Sequence, residues 1–388
     1  MLPGLPDPAS AGTIIVGMSG GVDSAVAALL LVDSGYRVQG LFMSNWEDDG
    51  YCTAAEDFQD ARRVCDTLKI ALHRANFAAE YKERVFAHFL SEYAAQRTPN
   101  PDVLCNREIK FGVCLDYMHR LGASFIATGH YARLQRSPAG VALLKAADLA
   151  KDQSYFLHGV AATALARTLF PIGHLHKDQV RKMAHAAGLP IYDKPDSTGI
   201  CFIGERPFQE FLSRYLRTDP GPIETDAGRV VGEHRGLSLY TLGQRSGLGI
   251  GGRSGSAAAP WYVADKVAAR NALIVVQDAN HPLLLSESFD VEAPHWLTAP
   301  ESSDSAFSCG VKTRYRQADM ECEVRLTAQG ARVQLRSAAR AVTPGQYAVF
   351  YRGERCLGGG IIANRKAAGS ASMADRITYN AHFSVEGS

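Results

Sequence analysis

Gly17-Met18-Ser19-Gly20-Gly21-Val22-Asp23-Ser24 follows the apolar run Thr13-Ile14-Ile15-Val16 and opens a helical stretch, Val22 to Val32. A strand, a glycine turn and a helix in that order build an anion site. The glycines let the backbone turn tightly and come close to a ligand, and the free N–H groups of the first helical turn point at it along the positive end of the dipole. A Walker loop is excluded, because a GxxxxGK[ST] frame begun at Gly17 needs glycine at Val22 and lysine at Asp23. A carboxylate at Asp23 is repelled by a polyphosphate unless a cation lies between them. The segment therefore implies ATP with Mg²⁺ near Asp23, and no metal held by protein ligands alone.

Two cysteine segments come next. In Thr98-Pro-Asn-Pro-Asp102-Val-Leu-Cys105-Asn106 the two prolines predict a stiff loop, with a helix beginning at Arg107 and Glu108. Cys105 then lies near a helix N-terminus, where the dipole favours thiolate, and Asp102 is placed to move protons. On spacing alone the commoner reading is that Cys105 is a small buried residue, the usual fate of a cysteine. Cys201, in the polar, Gly-punctuated stretch Asp196 to Glu205, carries the same two readings. The other six cysteines read as packing residues. No CxxC occurs, and His174-Leu175-His176 has no partner at zinc spacing, which argues against a zinc or iron–sulfur site.

The elements that must position these residues alternate. Strand-like runs at Thr13–Met18, Arg37–Met43, Ala71–Asn76 and Ser124–Thr128 interleave with helical stretches at Ala54–Leu68, Ala79–Gln96 and Glu108–Leu121. That is the pattern of an α/β fold with a doubly wound parallel sheet. Met43, Gly129 and His130 fall at the carboxyl ends of strands, where such sheets bind ligands. Amphipathic helices at Asp178–Ala187 and Pro207–Leu216 extend this unit, giving a first domain over 13–217 after a leader, 1–12, expected to be poorly ordered. Residues 218–287 shift to short strands and hold a Gly-rich stretch, Gly247–Gly255, that reads as a mobile loop in a small β domain. Alternating runs at Gly310–Thr313, Cys322–Leu326, Arg332–Leu335 and Tyr347–Tyr351 predict a C-terminal β-barrel over 288–366. The Ala/Ser-rich tail, 367–388, is expected to be poorly ordered.

A chain of 388 residues with 46% hydrophobic content suits a large soluble enzyme of two or three domains. The longest apolar run, Val26 to Val32, is too short to span a bilayer, and the leader has no basic segment of a secretion signal. A cytoplasmic location with reduced thiols is expected. The net charge of +1 gives no support of its own for nucleic acid.

Ser-Gly-Gly-x-Asp-Ser resembles the loop of ATP-pyrophosphatases, which cleave ATP between the α- and β-phosphates and adenylate a substrate oxygen. Together with Asn45-Trp46-Glu47, Asn100–Asn106, Thr128-Gly-His130, Lys151–Phe156, Asp196–Glu205, Thr241–Arg245, Lys312–Gln317, Thr343–Gln346 and Gly358–Gly360, it makes residues 13 to about 364 similar to the bacterial tRNA-specific 2-thiouridylase family. The resemblance implies an adenine-nucleotide alpha-hydrolase-like first domain and 2-thiolation of the wobble uridine in tRNAs for glutamate, glutamine and lysine. Gly17, Met18, Ser19, Gly20, Gly21, Val22, Asp23 and Ser24 would cradle the phosphates of ATP, with Met43 and Gly129 in the nucleotide pocket. Adenylation of the uracil C2 oxygen makes AMP the leaving group. Cys201 would carry a persulfide delivered by an upstream sulfur carrier or cysteine desulfurase, with Cys105 as nucleophile and Asp102 as acid/base; either that persulfide attacks C2 and Cys105 resolves it, or Cys105 first releases sulfide that attacks, and both routes end in a transient Cys105–Cys201 disulfide. Asn100, Pro101 and Asp102 would meet the target base with His130 beside it, and Lys151, Asp152, Gln153, Arg314, Tyr315 and Gln346 would contact tRNA. Two rivals share the loop: another ATP-pyrophosphatase ligase, which needs no paired cysteines, and a nucleotide sensor, which never splits ATP.

Overall fold

The computed structural model describes residues 5–46, 54–196, 208–216, 218–250, 259–298 and 306–368. The β-branched run that begins the chain's first motif forms β1 (Thr13–Met18), buried along nearly its whole length as a central parallel strand must be. It pairs in parallel with β2 (Arg37–Ser44), which pairs with β3 (Leu72–Asn76), and on its other edge with β4 (Phe125–Ala127). Helix α1 (Val22–Asp33) buries Val22, Ala25, Val26, Ala27, Ala28 and Leu31 and so belongs to the core rather than the surface. Helix α2 (Ala54–Leu68) follows β2.

Three features depart from what the local pattern predicts. A hairpin of β5 (Arg133–Ser137) and β6 (Gly140–Leu144) leaves the first sheet, and β7 (Thr168–Leu169) extends that sheet beyond β4, giving the order β3-β2-β1-β4-β7 among the described residues. The helix carrying Cys105 begins at Pro101 and not at Arg107. Proline at the first helical position loses only an N–H that would have no partner there, and Asn100 caps the turn by accepting the Asp102 N–H at 3.2 Å. Residues 5–12 of the leader are packed: Ala11 is buried, Leu5 lies against the core around α1, and the Tyr36 hydroxyl donates to the Pro6 carbonyl at 2.6 Å.

Strands β8 (Gly221–Thr225), β9 (Val230–His234), β10 (Tyr262–Val267) and β11 (Ala272–Val276) form a small sheet in the order β10-β11-β8-β9. Within the Gly-rich stretch Leu248 and Ile250 are buried, and residues 251–255 lie outside the described residues. The last unit is built from β12 (Leu285–Trp296), β13 (Phe307–Lys312), β14 (Met320–Thr327), β15 (Gly330–Arg340), β16 (Tyr347–Arg352) and β17 (Arg355–Ala367). β12 pairs with both β15 and β17, which closes the sheet into a barrel. Val324, Val333 and Leu335 alternate inward along their strands, as a half-buried sheet requires. The hairpin reaches across to this barrel where Leu144 pairs with Arg355, and the Lys145 N–H donates to the Glu354 carbonyl at 2.8 Å.

Phe350 is fully buried in the barrel and stacks on Trp296 at 5.3 Å. Phe350→Ala is expected to cost about 3–5 kcal/mol, read as a lowered denaturation midpoint; an unchanged midpoint would mean that this core does not hold the barrel.

Candidate active site

The glycine loop sits at the carboxyl end of β1, where the chain leaves β1 for β2 on one side and β4 lies on the other. This is the switch point at which open α/β sheets take ligands. Its shape is held internally. The Ser24 hydroxyl donates to the Gly21 carbonyl at 3.0 Å and lies 3.2 Å from the Ser19 N–H and 3.1 Å from the Ser19 hydroxyl. Gly20 has φ +75°, and a Cβ there would stand 2.4 Å from the Asp57 carbonyl oxygen on α2. No side chain caps α1, so Gly21 leaves the first-turn N–H groups open to an anion. A Cβ on Gly129 would lie 2.6 Å from the Asp23 carbonyl carbon and the Ser24 nitrogen, and one on Gly17 would lie 3.6 Å from the Met43 methyl. Loop, Gly129 and Met43 are thus one contiguous surface.

Residues that no local pattern marks surround the loop. Beyond α2 the chain forms α3 (78–94), α4 (101–120) and α5 (Lys177–Ala186). Lys177, at the start of α5, donates to both oxygens of Asp23 at 2.7 and 2.8 Å and reaches Asp196 at 2.7 Å. The Tyr131 hydroxyl donates to Asp23 at 2.8 Å. Asp196 also accepts from Lys151 at 2.7 Å and Arg181 at 3.3 Å. Burial alone would raise the Asp196 carboxyl, but hydrogen bonds from Lys151 and Lys177 outweigh it and hold it at about 2. Lys194 braces the loop from the other side, donating to the Gly20 carbonyl at 3.1 Å, Asp57 at 2.7 Å and Asp60 at 2.6 Å. Among the described residues no group of three His, Cys, Asp or Glu side chains gathers as a metal would need. With Asp23 already engaged, Mg²⁺ fits here only if nucleotide phosphates supply most of its oxygens.

The segment from Thr98 to Cys105 is fixed by the barrel. The Gln346 amide donates to the Thr98 and Pro99 carbonyls at 2.8 and 3.3 Å, and the Thr98 N–H donates to the Pro344 carbonyl at 3.0 Å. Asp102 and Cys105 are three residues apart on α4 and therefore share a face. Cys105 is 2% exposed and opens a π-helical stretch, Cys105–Val113, a distortion common at functional sites. Burial raises the Asp102 carboxyl above its ordinary value, and Lys110 opposes the rise. His130 is buried between the rings of Phe111 and Phe170, with Nδ1 2.7 Å from the Thr128 hydroxyl, and burial drives its pKa well down, so the ring is neutral.

The residues assigned to tRNA divide by placement. Asp152 is 3% exposed, accepts from the Ala146 and Ser154 N–H groups at 3.0 and 3.2 Å, and pairs with Lys312 of the barrel at 3.4 Å. Gln153 accepts the Tyr131 N–H at 2.9 Å. One nitrogen of Arg314 donates to the Leu242 and Ala341 carbonyls at 2.8 and 2.9 Å and to the Thr343 hydroxyl at 2.7 Å. Tyr315 packs on Phe156 at 4.4 Å. These side chains shape the seam between the first sheet and the barrel. Cys201, and with it the Cys105–Cys201 pairing, lies outside the described residues, as do Glu47 and Cys52.

Gly129→Ala is expected to force the Asp23–Ser24 backbone out of place and abolish nucleotide binding, measured by equilibrium titration; retained affinity would show that the two backbones can part. Because the native Asp102 carboxyl is raised, the folded chain binds more protons than the unfolded one from the ordinary carboxylate range up to the native pKa. Its stability relative to Asp102→Asn should fall as pH rises through that window, by about 1.4 kcal/mol per pH unit. Denaturation series for the two proteins with the same pH dependence would contradict the burial of this group.

Comparison with known proteins agrees with this architecture. Residues 12–205 match a family described as the tRNA methyl transferase HUP domain, 209–277 the tRNA methyl transferase PRC-barrel domain, and 286–362 the aminomethyltransferase beta-barrel domain. The tRNA-specific 2-thiouridylase MnmA of Marinobacter nauticus is 57% identical over 355 residues, covering 90% of both chains. That of Chromohalobacter salexigens is 57% identical over 357 residues, covering 90% of this chain and 92% of its own, and that of Pseudomonas aeruginosa is 54% identical over 357 residues, covering 91% and 95%. With identity at that level running from the phosphate loop through the barrel, the chain belongs to the tRNA-specific 2-thiouridylase family.

Proposed function

We propose that the protein is an ATP-dependent tRNA-uridine 2-sulfurtransferase acting on the wobble uridine of tRNAs for glutamate, glutamine and lysine. The observation that carries this reading is the tether from Gln346 to Thr98 and Pro99, which holds the segment bearing Asp102 and Cys105 of the first domain against the C-terminal barrel. ATP is the co-substrate, bound with Mg²⁺. Ser19 to Ser24 hold its phosphates through open helix N–H groups, and Met43 and Gly129 flank the nucleoside. The uracil C2 oxygen is a poor leaving group; once adenylated, with pyrophosphate released, it departs as AMP.

Asn100 and Pro101 set the edge that the flipped base meets. A persulfide on Cys201, loaded by a sulfur carrier or cysteine desulfurase, adds its terminal sulfur to C2 as AMP leaves. The Cys105 thiolate then attacks the Cys201 sulfur, so that thiouridine departs with the transferred sulfur and a Cys105–Cys201 disulfide forms. A thiol reductant reopens it. Asp102, one turn from Cys105 with a raised pKa, is suited to take and return the thiol proton. Lys151, Asp152, Gln153, Arg314 and Tyr315 line the tRNA path or, where their polar atoms are already spent within the protein, shape it; His130 presents a neutral ring edge.

The test is single-turnover incubation with ATP, Mg²⁺, a persulfide source and unmodified glutamate tRNA, reading thiouridine and AMP together. Thiouridine should form at the wobble position and vanish in Cys105→Ala and Cys201→Ala, and Asp102→Asn should slow it by about 10²–10⁴-fold. AMP without sulfur, or activity surviving both cysteine changes, would point to another ATP-pyrophosphatase ligase; bound ATP that is never split would point to a nucleotide sensor.

A further inference from the structure

The loop from Gly17 to Ser24 contains no lysine, yet an ammonium group stands at its mouth. Lys177 comes from a segment 154 residues away and grips both oxygens of Asp23, in the first turn of α1, at 2.7 and 2.8 Å. Its side chain is only 12% exposed. The position is unusual for a cation, since Lys177 is the first residue of α5, where the helix dipole is positive and disfavours it. Its own N–H is fixed by the Asp148 carboxylate at 3.0 Å. Helix preference therefore does not account for a lysine here, and the charges it faces do.

We propose that Lys177 is a polyphosphate-contacting residue that bears on the pyrophosphate end of the nucleotide; this rests on the reading that the loop takes ATP. The direction follows from topology. Met43 belongs to β2, on one flank of β1, whereas Gly129, Tyr131 and Lys177 come after β4 on the other, so the ammonium stands across the loop from Met43 and grips Asp23 in the helical turn whose open N–H groups face the phosphates. The exchange is easily balanced. An ammonium has three donors, used here on the two oxygens of Asp23 and one of Asp196. A phosphate oxygen can take the place of Asp196, which keeps Lys151 at 2.7 Å and Arg181 at 3.3 Å. Asp23 stays paired, so the incoming polyphosphate meets no bare carboxylate. Lys177 thus supplies from a different element the point charge that a Walker lysine supplies from within its loop.

The test measures binding to the full chain of ATP, inorganic pyrophosphate and AMP, with and without Mg²⁺. Lys177→Met should weaken ATP and pyrophosphate by about 10- to 100-fold and leave AMP unchanged, and Lys177→Arg should recover much of the loss. Asp196→Asn, which removes the competing acceptor, should tighten pyrophosphate. Equal affinities for ATP in wild type and Lys177→Met, or a loss shared by AMP together with a lowered melting temperature, would overturn the assignment and leave Lys177 as a tie between Asp23 and Asp196. Wild-type protein that binds neither ATP nor pyrophosphate would instead overturn the nucleotide reading itself.

Discussion

The close approach of two backbones, Gly129 against Asp23 and Ser24, is the constraint on which the site depends. It joins the end of β4 to the start of α1 across the one place where the sheet's winding reverses, and leaves no room for a side chain between them. Everything around it follows from keeping that contact while the first helical turn stays open. Ser19 and Ser24 close the loop on itself, Lys194 pins it to α2, and Tyr131 and Lys177 occupy the carboxylate that would otherwise face an anion alone.

The barrel is part of the same device. Beside apolar contacts such as Tyr315 on Phe156, it meets the first domain through paired polar atoms: Lys312 with Asp152, the Tyr155 hydroxyl on the Tyr347 carbonyl, and Gln346 on the carbonyls of Thr98 and Pro99. Such pairs add little net stability, because desolvation offsets much of their attraction, but losing one partner is costly. They specify how the barrel sits. The segment bearing Asp102 and Cys105 therefore takes its position from the barrel as much as from its own helix.

Much of this was legible in the chain. The parallel strands, the phosphate loop and the barrel announce themselves because their signals are local: a β-branched run, two glycines before a helix, alternation on strands. The hairpin at 133–144 was not, since its strands are five residues each, the first of them mostly polar, and its link to the barrel is made at a distant residue, Arg355. The start of α4 at Pro101 was obscured because proline breaks a helix interior yet fits its first turn. Asp152, expected from the resemblance to contact tRNA, is shown only by the fold to be buried and paired with Lys312. Lys177 leaves no mark either, because an ion pair spanning 154 residues has no periodicity to find.

The tether at Gln346 also imposes an order of events on the growing chain. Gln346 is made 248 residues after Thr98, and Tyr351 is made 197 residues after Ser154, whose hydroxyl it meets. The elements around the glycine loop, by contrast, are all present once Asp196 has emerged. During synthesis the nucleotide half is thus complete in sequence long before the cysteine helix gains its anchor, and contacts of such separation form late. The glycine loop and the placement of Cys105 mature at different times, and the second waits for the barrel to close.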